Sequence, residues 1–550
     1  MENPIAYLPI DRRLALADGR ELPEHTYGAA LFADISGFTP LTEMLARTLG
    51  PKRGAEELTR YLNQVYDALI AELHRFGGSV LGFSGDAITC WFDDNMGEQE
   101  AAATLRATAS ALAMQTTMTQ FANLEITGGG RVSLAMKAAV ASGEVRRFIV
   151  GDPQYNLMDV MAGHTLEYLA NAEHQANKGD VILDERAINA LGNRIAIQEW
   201  RTDEHTGDRY AAISGLEGTV SEHPWPALDT GAFGMEQARP WLLPAVYRLL
   251  HAGQGDFLAE LRPASALFLR FGGIDYDLDA DAPQKLDAFI RQVQRILARF
   301  DGSLLQLTIG DKGSYLYAAF GAPIAHEDDV DRAASAALEL QALPGQMAFL
   351  EPLQIGITYG RMRVGAYGGM ARRTYGVLGD AVNLSARLMQ AALPGQILAS
   401  EEAHSRAGTA FVWESLPPIR VKGKSEPISL YRLDRLRHRR VGASLEGRFP
   451  LEPLGREEVL AGLASSLERL ISGQGQIIRL EGEAGMGKSH VAAHFIRQAK
   501  AQNAQVVTGI CQSITQSAPY TPWRQILSTL LGLQDMVEGE HEWAAFLEAR

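Results

Sequence analysis

The chain has 550 residues, which is too long for one hydrophobic core and predicts roughly three or four domains. Its hydrophobic fraction of 46% is that of an ordinary globular protein, and its net charge of -15 argues against a general nucleic-acid or membrane-surface binder. No apolar run approaches the roughly 18 residues of a membrane span, and the first residues carry no signal-peptide pattern, so we expect a cytoplasmic protein with no membrane span and no nucleic-acid partner.

The sequence contains one unit written twice. "ALFADISGFT" is echoed by "ALFLRFGGID", and an amphipathic helical pattern follows each copy. "FGGSVLGFSGDAITCWF" (76–92) is then echoed by "FDGSLLQLTIGDKGSYLYAAF" (300–320), and "NKGDVILDERA" by "LPGQILASEEA". Because the order of the echoes is the same in both copies, we predict two homologous domains, residues 25–220 and 262–435.

Each copy reads as strand, helix, hairpin, helix, strand and further strands. This pattern predicts a ferredoxin-like α+β fold, with helices on one face of a mostly antiparallel sheet. We expect residues 1–24 to form an N-terminal segment and the Pro- and Gly-rich residues 221–261 to form a linker. The basic, turn-rich residues 436–450 would be a second linker, which leads into a third domain at 451–550.

Asp34 lies near the end of the first apolar strand, where an unpaired carboxylate would be costly. "SGFT" then opens a helix. The Asp34 carboxylate, the Ile35 carbonyl and the free N–H groups of the helix start would therefore lie near one point, where a cation and a phosphate can both be held. The helix-start residues are Gly37, Phe38 and Thr39.

Asp86 occupies the tip of the hairpin "FSGDA". Adjacent central strands of a ferredoxin-like sheet would bring Asp34 and Asp86 together, and two close carboxylates repel each other unless a positive charge sits between them. Hard oxygen ligands suit Mg²⁺ or Mn²⁺. Taken alone, Asp34 could cap the following helix and Asp86 could be a turn residue, but together they predict a metal site.

The third domain opens on a nucleotide-binding motif. "GEAGMGKS" fits G-x-x-x-x-G-K-[ST] between a strand-like stretch, "GQIIRLE", and a helical pattern. The backbone N–H groups of such a loop cradle phosphates, the lysine reaches the β and γ phosphates, and the serine holds Mg²⁺. We therefore predict ATP at a P-loop that opens an α/β NTPase domain, with the residues Gly482, Gly485, Gly487, Lys488 and Ser489.

No apolar strand that ends in Asp follows this motif, so hydrolysis stays open. We expect the NTPase domain to continue beyond residue 550, together with a C-terminal regulatory region.

"FADISGFT", "FSGDA" and "YGVLGDAVNLSARL" as a set resemble class III nucleotidyl cyclases. Two cyclase domains followed by a P-loop NTPase resemble the architecture of the soluble adenylyl cyclases, and the resemblance covers nearly the whole chain from about residue 25. It implies a head-to-tail pair of domains with the site at their interface, served by two Mg²⁺ or Mn²⁺ ions.

The resemblance also implies roles for further residues. Lys137 would meet the β and γ phosphates, and Lys312 would read the adenine edge. Asn383 would orient the ribose. Arg387, four residues later on the same helix face, would stabilise the charge on the α-phosphate in the transition state.

The sequence departs from the family pattern in three places. Arg270 stands where the first copy has Asp34, so metal binding at the mirror position should fail. In "AGHTLE", Gly163 and Glu167 are expected to replace the Asn and Arg of "VNLSAR", which leaves one competent site. A base-selecting polar residue is expected seven positions before Asn383, where this chain has Gly376.

These patterns predict an adenylyl cyclase that makes 3′,5′-cyclic AMP and pyrophosphate from ATP by two-metal in-line attack of the ribose 3′-OH, coupled to a regulatory NTPase. The alternative is a nucleotide-sensing module with little turnover that gates the NTPase or a C-terminal region. A guanylyl cyclase is a third possibility, although Lys312 suits an adenine acceptor better than a guanine donor edge.

Overall fold

The computed structural model describes residues 4–94, 102–126, 129–204, 206–227, 234–253, 260–310, 313–421, 426–437, 449, 451–482, 486–509 and 521–530. Within these ranges no helix is long and apolar enough to cross a membrane. Two large sheets and the helices that cover them make up the first 436 residues.

The first sheet belongs to residues 25–216. Its strands are β1 (His25–Ser36), β2 (Ser79–Ser84), β3 (Ala87–Asp93), β6 (Ala135–Val150), β7 (Met158–Ala162), β8 (Val181–Asp184), β9 (Ile195–Thr202) and β10 (Arg209–Leu216). A separate two-stranded sheet is formed by β4 (Leu124–Glu125) and β5 (Arg131–Val132). The helices up to this point are α1 (Ile10–Ala17), α2 (Phe38–Leu49), α3 (Pro51–Arg75), α4 (Ala102–Met118), α5 (His164–Gln175) and α6 (Glu185–Leu191).

The second sheet belongs to residues 260–436. Its strands are β11 (Glu260–Phe271), β12 (Ser303–Thr308), β13 (Ser314–Phe320), β14 (Gln354–Gly368), β15 (Arg373–Leu378), β16 (Ile397–Ser400), β17 (Phe411–Ile419) and β18 (Ile428–Leu436). The remaining helices are α7 (Met235–Ala238), α8 (Pro244–His251), α9 (Ala282–Arg299), α10 (Asp329–Gln341), α11 (Asp380–Ala391), α12 (Glu401–Arg406), α13 (Glu457–Ile471), α14 (Lys488–Ala501) and α15 (Thr521–Leu530).

The two sheets have the same topology. The first has the order β2-β3-β1-β6-β8-β10-β9 with β7 paired to β6, and the second has β12-β13-β11-β14-β16-β18-β17 with β15 paired to β14. In both, the central strand pairs antiparallel with its two neighbours, and one parallel pair (β6 with β8, β14 with β16) follows. The predicted α+β fold written twice is confirmed.

The two units exchange arms in a reciprocal way. Phe148 and Val160, from β6 and β7, are buried in the core of the second unit. Tyr367, from β14, is buried in the core of the first unit, where its ring packs against Tyr66 and Phe83. This exchange gives a head-to-tail pair related by a pseudo-twofold axis.

The structure corrects the alignment of the two copies over α5 and α11. The sequence analysis matched Gly163 with Asn383 and Glu167 with Arg387, and this was wrong. Each helix begins directly after a glycine that follows the β7 or β15 strand, and both helices have 12 residues. The structural matches are therefore Gly163 with Gly379, Glu167 with Asn383, and Asn171 with Arg387.

The N-terminal segment packs between the two units. Arg13 donates from Nη2 to the Ala371 carbonyl at 2.5 Å, and Arg372 donates to the Tyr7 carbonyl at 2.7 Å. Residues 235–251, which were predicted as part of a linker, form α7 and α8 and pack with this segment in one buried cluster. The apolar faces of these short helices explain why the Pro-rich stretch is ordered against the second unit.

In the third region, α14 begins at Lys488 of the predicted P-loop. The strand predicted over "GQIIRLE" is not formed, and the Ile477 side chain is fully exposed. A strand needs a hydrogen-bonded neighbour, and none of the described residues after 451 forms one.

Candidate active site

Asp34 and Asp86 line one cavity of about 350 Å³ at the interface of the two units. We call it the carboxylate cavity. The Ile35 N–H donates to the Asp86 carbonyl at 3.2 Å, which ties the end of β1 to the hairpin tip between β2 and β3. The second unit closes the cavity with β12 residues 306–308. The pair predicted from sequence therefore lies together, facing the other unit.

Burial of the Asp86 carboxyl, with a further contribution from the Asp34 charge, raises its pKa to about 6. A buried carboxylate beside a second carboxylate is stabilised by a cation, and carboxylate oxygens are the ligands that Mg²⁺ and Mn²⁺ prefer. The residues present therefore fit a divalent ion. Among the described residues no group of three or more His, Cys, Asp or Glu side chains could hold a metal ion.

Lys137 lies on β6 directly opposite Asp34 on β1. Its Nζ is 3.8 Å from Asp34 Oδ2, which is an ion pair beyond hydrogen-bond distance. The same ammonium group is in close contact with the Glu173 carboxylate and donates to the Glu173 carbonyl at 3.4 Å. The lysine predicted to meet phosphates is thus engaged by a carboxylate of α5.

A second cavity, of about 190 Å³, adjoins the carboxylate cavity and contains residues of both units. We call it the α11 cavity, because residues of α11 line it. Asp86 from the first unit and Asn383 from the second both line it. The residues that line both cavities are Ser84, Asp86, Gln306 and Tyr315.

A hydrogen bond between the units crosses this boundary. Gln306 Nε2, on β12, donates to Ser84 Oγ, on β2, at 2.7 Å. The Phe268 and Tyr317 rings stack at 4.5 Å between their centroids in the wall of the α11 cavity. Part of the wall is therefore aromatic, and Ser84, Asp86 and Gln306 supply polar groups where this cavity meets the carboxylate cavity.

Asn383 and Arg387 project from α11, whose start is fixed by the Gly379 turn after β15. Asn383 is exposed, and Arg387 is half-buried one turn further along the helix. Arg387 is not among the residues that line either cavity in the described part of the chain. Among the described residues, Asn383 and Asp86 therefore line the same cavity, whereas Arg387 lines neither of the two cavities.

Gly376, at the position of the expected base-selecting residue, lies opposite Gly365 in the β14–β15 pair. A Cβ atom at residue 376 would lie 2.9 Å from Tyr367 Cε1. The buried Tyr367 ring therefore occupies space that a side chain at this position would need.

Gly37 precedes α2 with φ of 108°, and a Cβ there would meet the Ser133 carbonyl oxygen at 2.6 Å. Glycine is required for this backbone turn. Phe38, the first residue of α2, is buried in the core. The Thr39 side chain, Lys312 and Gly485 lie outside the described residues.

A mirror cavity of about 420 Å³ lies at the pseudo-symmetric position. The strand registers match Arg270 with Asp34, since Arg270 pairs with Gln354 on β14 as Asp34 pairs with Lys137 on β6. Glu167 of α5 lines the same cavity. The mirror position thus has a guanidinium where the first unit has a carboxylate.

Two regions of the chain match family models, and most of the chain is similar to known proteins. Residues 279–434 match the family model described as Adenylate and Guanylate cyclase catalytic domain, and residues 452–550 match the AAA ATPase domain. Adenylate cyclase type 10 from Homo sapiens is 23% identical and covers 94% of this chain. The Rattus norvegicus protein of the same name is 24% identical and covers 84%.

The second unit is thus similar to cyclase catalytic domains, and most of the chain is similar to adenylate cyclase type 10. The chain spans about a third of the length of the curated relatives it matches, 33% of the human protein and 30% of the rat protein. The family model matches the second cyclase unit, whereas Asp34 and Asp86 belong to the first, which is related to the second by the repeated topology.

Among solved structures, the adenylyl cyclase CyaB from P. aeruginosa aligns with 33% of this chain and 97% of its own chain, at 24% identity and a TM-score of 0.30. A class III adenylyl cyclase-like ATP-binding protein from Pseudomonas aeruginosa aligns with 74% of this chain and 95% of its own, at 15% identity and a TM-score of 0.48. The repeat of one fold within this chain is shown by the matching strand order of its own two sheets.

The P-loop of the AAA region is described in part. Gly487 precedes α14 in the left-handed conformation, with φ of 84°. Lys488 Nζ donates to the Gly482 carbonyl at 2.9 Å and so spans the loop. Ser489 is the second residue of α14, which places its side chain at the helix N-terminus, where phosphate and Mg²⁺ bind in such loops.

Sequence reasoning missed Glu173 of the first cyclase unit. Its structural counterpart in α11 is Met389, which is fully buried in the second unit. A carboxylate at a position where the other copy has a buried methionine indicates a candidate site residue. This difference is visible only when the two helices are aligned by the glycines that precede them.

Proposed function

We propose that this chain is an adenylyl cyclase that converts ATP to 3′,5′-cyclic AMP and pyrophosphate at one site between its two cyclase units. The observation that carries the proposal is that Asp86 of the first unit and Asn383 of the second line the same cavity. A site that needs residues from both units is explained by a substrate that reaches from the carboxylates to α11.

In this proposal Asp34 and Asp86 hold two divalent ions, with the Ile35 carbonyl beside them. When bound, such ions lower the pKa of the ribose 3′-hydroxyl and neutralise the triphosphate. The N-terminus of α2 at Gly37, Phe38 and Thr39 faces phosphate oxygens with its unpaired N–H groups.

The second unit orients the other half of the substrate. Asn383 holds the ribose by hydrogen bonds, and Arg387 moves inward to stabilise the charge that develops on the α-phosphate. Lys137 holds the departing pyrophosphate. Lys312 donates a hydrogen bond to the edge of the adenine base. The stacked Phe268 and Tyr317 rings supply an apolar wall for the base.

The mirror cavity does not turn over substrate in this proposal. Arg270 repels the divalent ions that Asp34 attracts, and the counterparts of Asn383 and Arg387 are Glu167 and Asn171. Neither unit therefore offers the mirror cavity side chains that complement the metal ions and the triphosphate of the substrate.

We extend the proposal to the AAA region, where the P-loop residues around Lys488 and Ser489 bind ATP and regulate the cyclase units. A cytoplasmic location, where ATP is supplied, fits both activities.

A nucleotide-sensing module is the second candidate, and one observation favours it. Lys137 is already paired with Glu173, so ATP could bind without the lysine contact that pyrophosphate departure needs. Incubation of the purified chain with ATP or GTP, in Mg²⁺ or Mn²⁺, and mass spectrometry of the products decides between the candidates. Cyclic AMP from wild type and none from Asp34→Ala supports the cyclase. Cyclic GMP from GTP in excess of cyclic AMP from ATP would reassign the base, and nucleotide binding without any cyclic product supports the sensor.

A further inference from the structure

Asp34, Lys137 and Glu173 form a charge triad at the edge of the carboxylate cavity. The Lys137 ammonium group lies between the two carboxylates but not midway. It is in close contact with Glu173, whereas 3.8 Å separates it from Asp34 Oδ2. All three side chains are largely buried, with exposed fractions of 28%, 23% and 14% for Asp34, Lys137 and Glu173. The lysine is therefore held by Glu173 more closely than by Asp34.

The fold does not require this triad. In the second unit the register matches Asp34 with Arg270, Lys137 with Gln354 and Glu173 with Met389. Every member of the triad is replaced there, and the second sheet still forms with the same topology. Arg270, Gln354 and Met389 therefore stand where the first unit has Asp34, Lys137 and Glu173, so the triad is particular to the first unit.

The triad has an electrostatic consequence for metal binding. An ammonium group that hydrogen-bonds to the Asp34 carboxylate would compete directly with a divalent ion for the same oxygens. Glu173 offers the ammonium group a carboxylate and a backbone carbonyl on α5, away from that competition.

We propose that Glu173 is a positioning residue that holds Lys137 away from Asp34 and so keeps the Asp34 carboxylate available to a divalent ion. The inference rests on the proposed function, because it takes Asp34 to be a metal ligand. It adds a residue that no part of the cyclase motif set contains, and it gives that residue a role through Lys137 rather than on the metal itself.

The test is direct Mn²⁺ binding to the full 550-residue chain, measured by electron paramagnetic resonance of the free ion. The Asp34→Asn chain supplies the background from the rest of the protein, including the P-loop. Glu173→Gln should weaken the Asp34-dependent Mn²⁺ affinity about fivefold, because Lys137 then turns to Asp34. Glu185→Gln, an exposed charge removal on α6, should leave the affinity unchanged.

Lys137→Met provides the deciding background. If Glu173 acts through Lys137, then Lys137→Met/Glu173→Gln should bind Mn²⁺ as tightly as Lys137→Met alone. An equal loss from Glu173→Gln in both backgrounds would mean that Glu173 attracts the ion directly, and would overturn the inference, as would an unchanged affinity in Glu173→Gln alone. A wild-type chain with no Asp34-dependent Mn²⁺ binding would overturn the proposed metal site as well, so the two failures are distinguishable.

Discussion

The Asp34 and Asp86 carboxyl groups face one cavity, and burial together with the Asp34 charge raises the pKa of Asp86 to about 6. The site is therefore built at a cost to the fold when no cation is present. A carboxyl that ionises at pH 3.8 in the unfolded chain and at about 6 in the folded one binds more protons in the folded state between those values.

This relationship predicts the pH dependence of Asp86→Asn. Asp86 does not oppose folding below pH 3.8, and its ionisation opposes folding progressively more as the pH rises through about 6. At pH 7.5 in chelator, Asp86→Asn should therefore stabilise the chain, by about 1–2 kcal/mol for a half-buried carboxyl. Urea unfolding at pH 7.5 and pH 4 measures the difference. If Asp86→Asn were less stable than wild type at pH 7.5, the claim that ionised Asp86 opposes folding would be contradicted.

Asn383→Ala and Arg387→Ala test the contribution of α11. Each removes a group that the proposed reaction uses in the transition state, so kcat for cyclic AMP formation should fall about 100-fold or more. Gln390→Ala, at an exposed position on the same helix, is the matched control and should keep wild-type kcat. Loss confined to KM in the Asn383 and Arg387 variants would show that α11 binds the nucleotide without assisting the chemistry.

Gly376→Ala tests the packing that replaces a base-selecting side chain. The added Cβ would lie 2.9 Å from Tyr367 Cε1, so the buried ring must move, which should cost about 1–3 kcal/mol of stability. Thermal unfolding measures the loss. Tyr367→Leu should reduce the penalty of Gly376→Ala, because it removes the ring atoms that the Cβ meets. Additive penalties in the double variant would rule out this contact as the cause.

Asp11→Asn tests the N-terminal segment. Asp11 pairs with Arg147 at 2.5 Å, and both side chains are almost fully buried. Arg147 lowers the pKa of Asp11 against the opposing effect of burial. Asp11→Asn leaves Arg147 paired with Asp159 but removes the second carboxylate of this buried cluster, so the free energy of unfolding should fall by about 2 kcal/mol.

Asp18→Asn, at an exposed ion pair just after α1, is the control for Asp11→Asn and should change stability little. The pH gives a further check. Since the folded pKa of Asp11 lies below its ordinary value of 3.8, the stability that this pair contributes is present above pH 3.8 and is lost as the pH falls below it. A stability difference between wild type and Asp11→Asn that persists at pH 2 would contradict this origin.

The repeated fold could be predicted because the echoed segments keep the same order in both copies, and each copy keeps the same alternation of strand and helix patterns. The echo of "ALFADISGFT" in "ALFLRFGGID" corresponds to β1 and β11, which have the same neighbours in their sheets. The pairing of Asp34 with Asp86 followed from strand adjacency, since a hairpin tip and a strand end meet in this fold.

The alignment of α5 with α11 could not be read from residue types alone. The helix starts are set by the backbone turns at Gly163 and Gly379, while the side chains that follow have diverged. The close contact of Glu173 with Lys137 was missed for the same reason, because it joins a strand to a helix 36 residues later and depends on which face of α5 meets the sheet. Residues 235–251 were predicted as part of a linker because the stretch is rich in Pro and Gly. That composition does not show whether short apolar helices in the stretch pack against the rest of the protein.

The most direct test of one competent site between the units compares Asp34→Asn with Arg270→Ala, its counterpart in the mirror cavity. The measurement is the initial rate of cyclic AMP formation from ATP in saturating Mn²⁺. We expect Asp34→Asn to lose at least about 100-fold in rate and Arg270→Ala to retain a rate near that of wild type. Equal losses in the two variants, or a wild type that forms no cyclic AMP, would contradict the account.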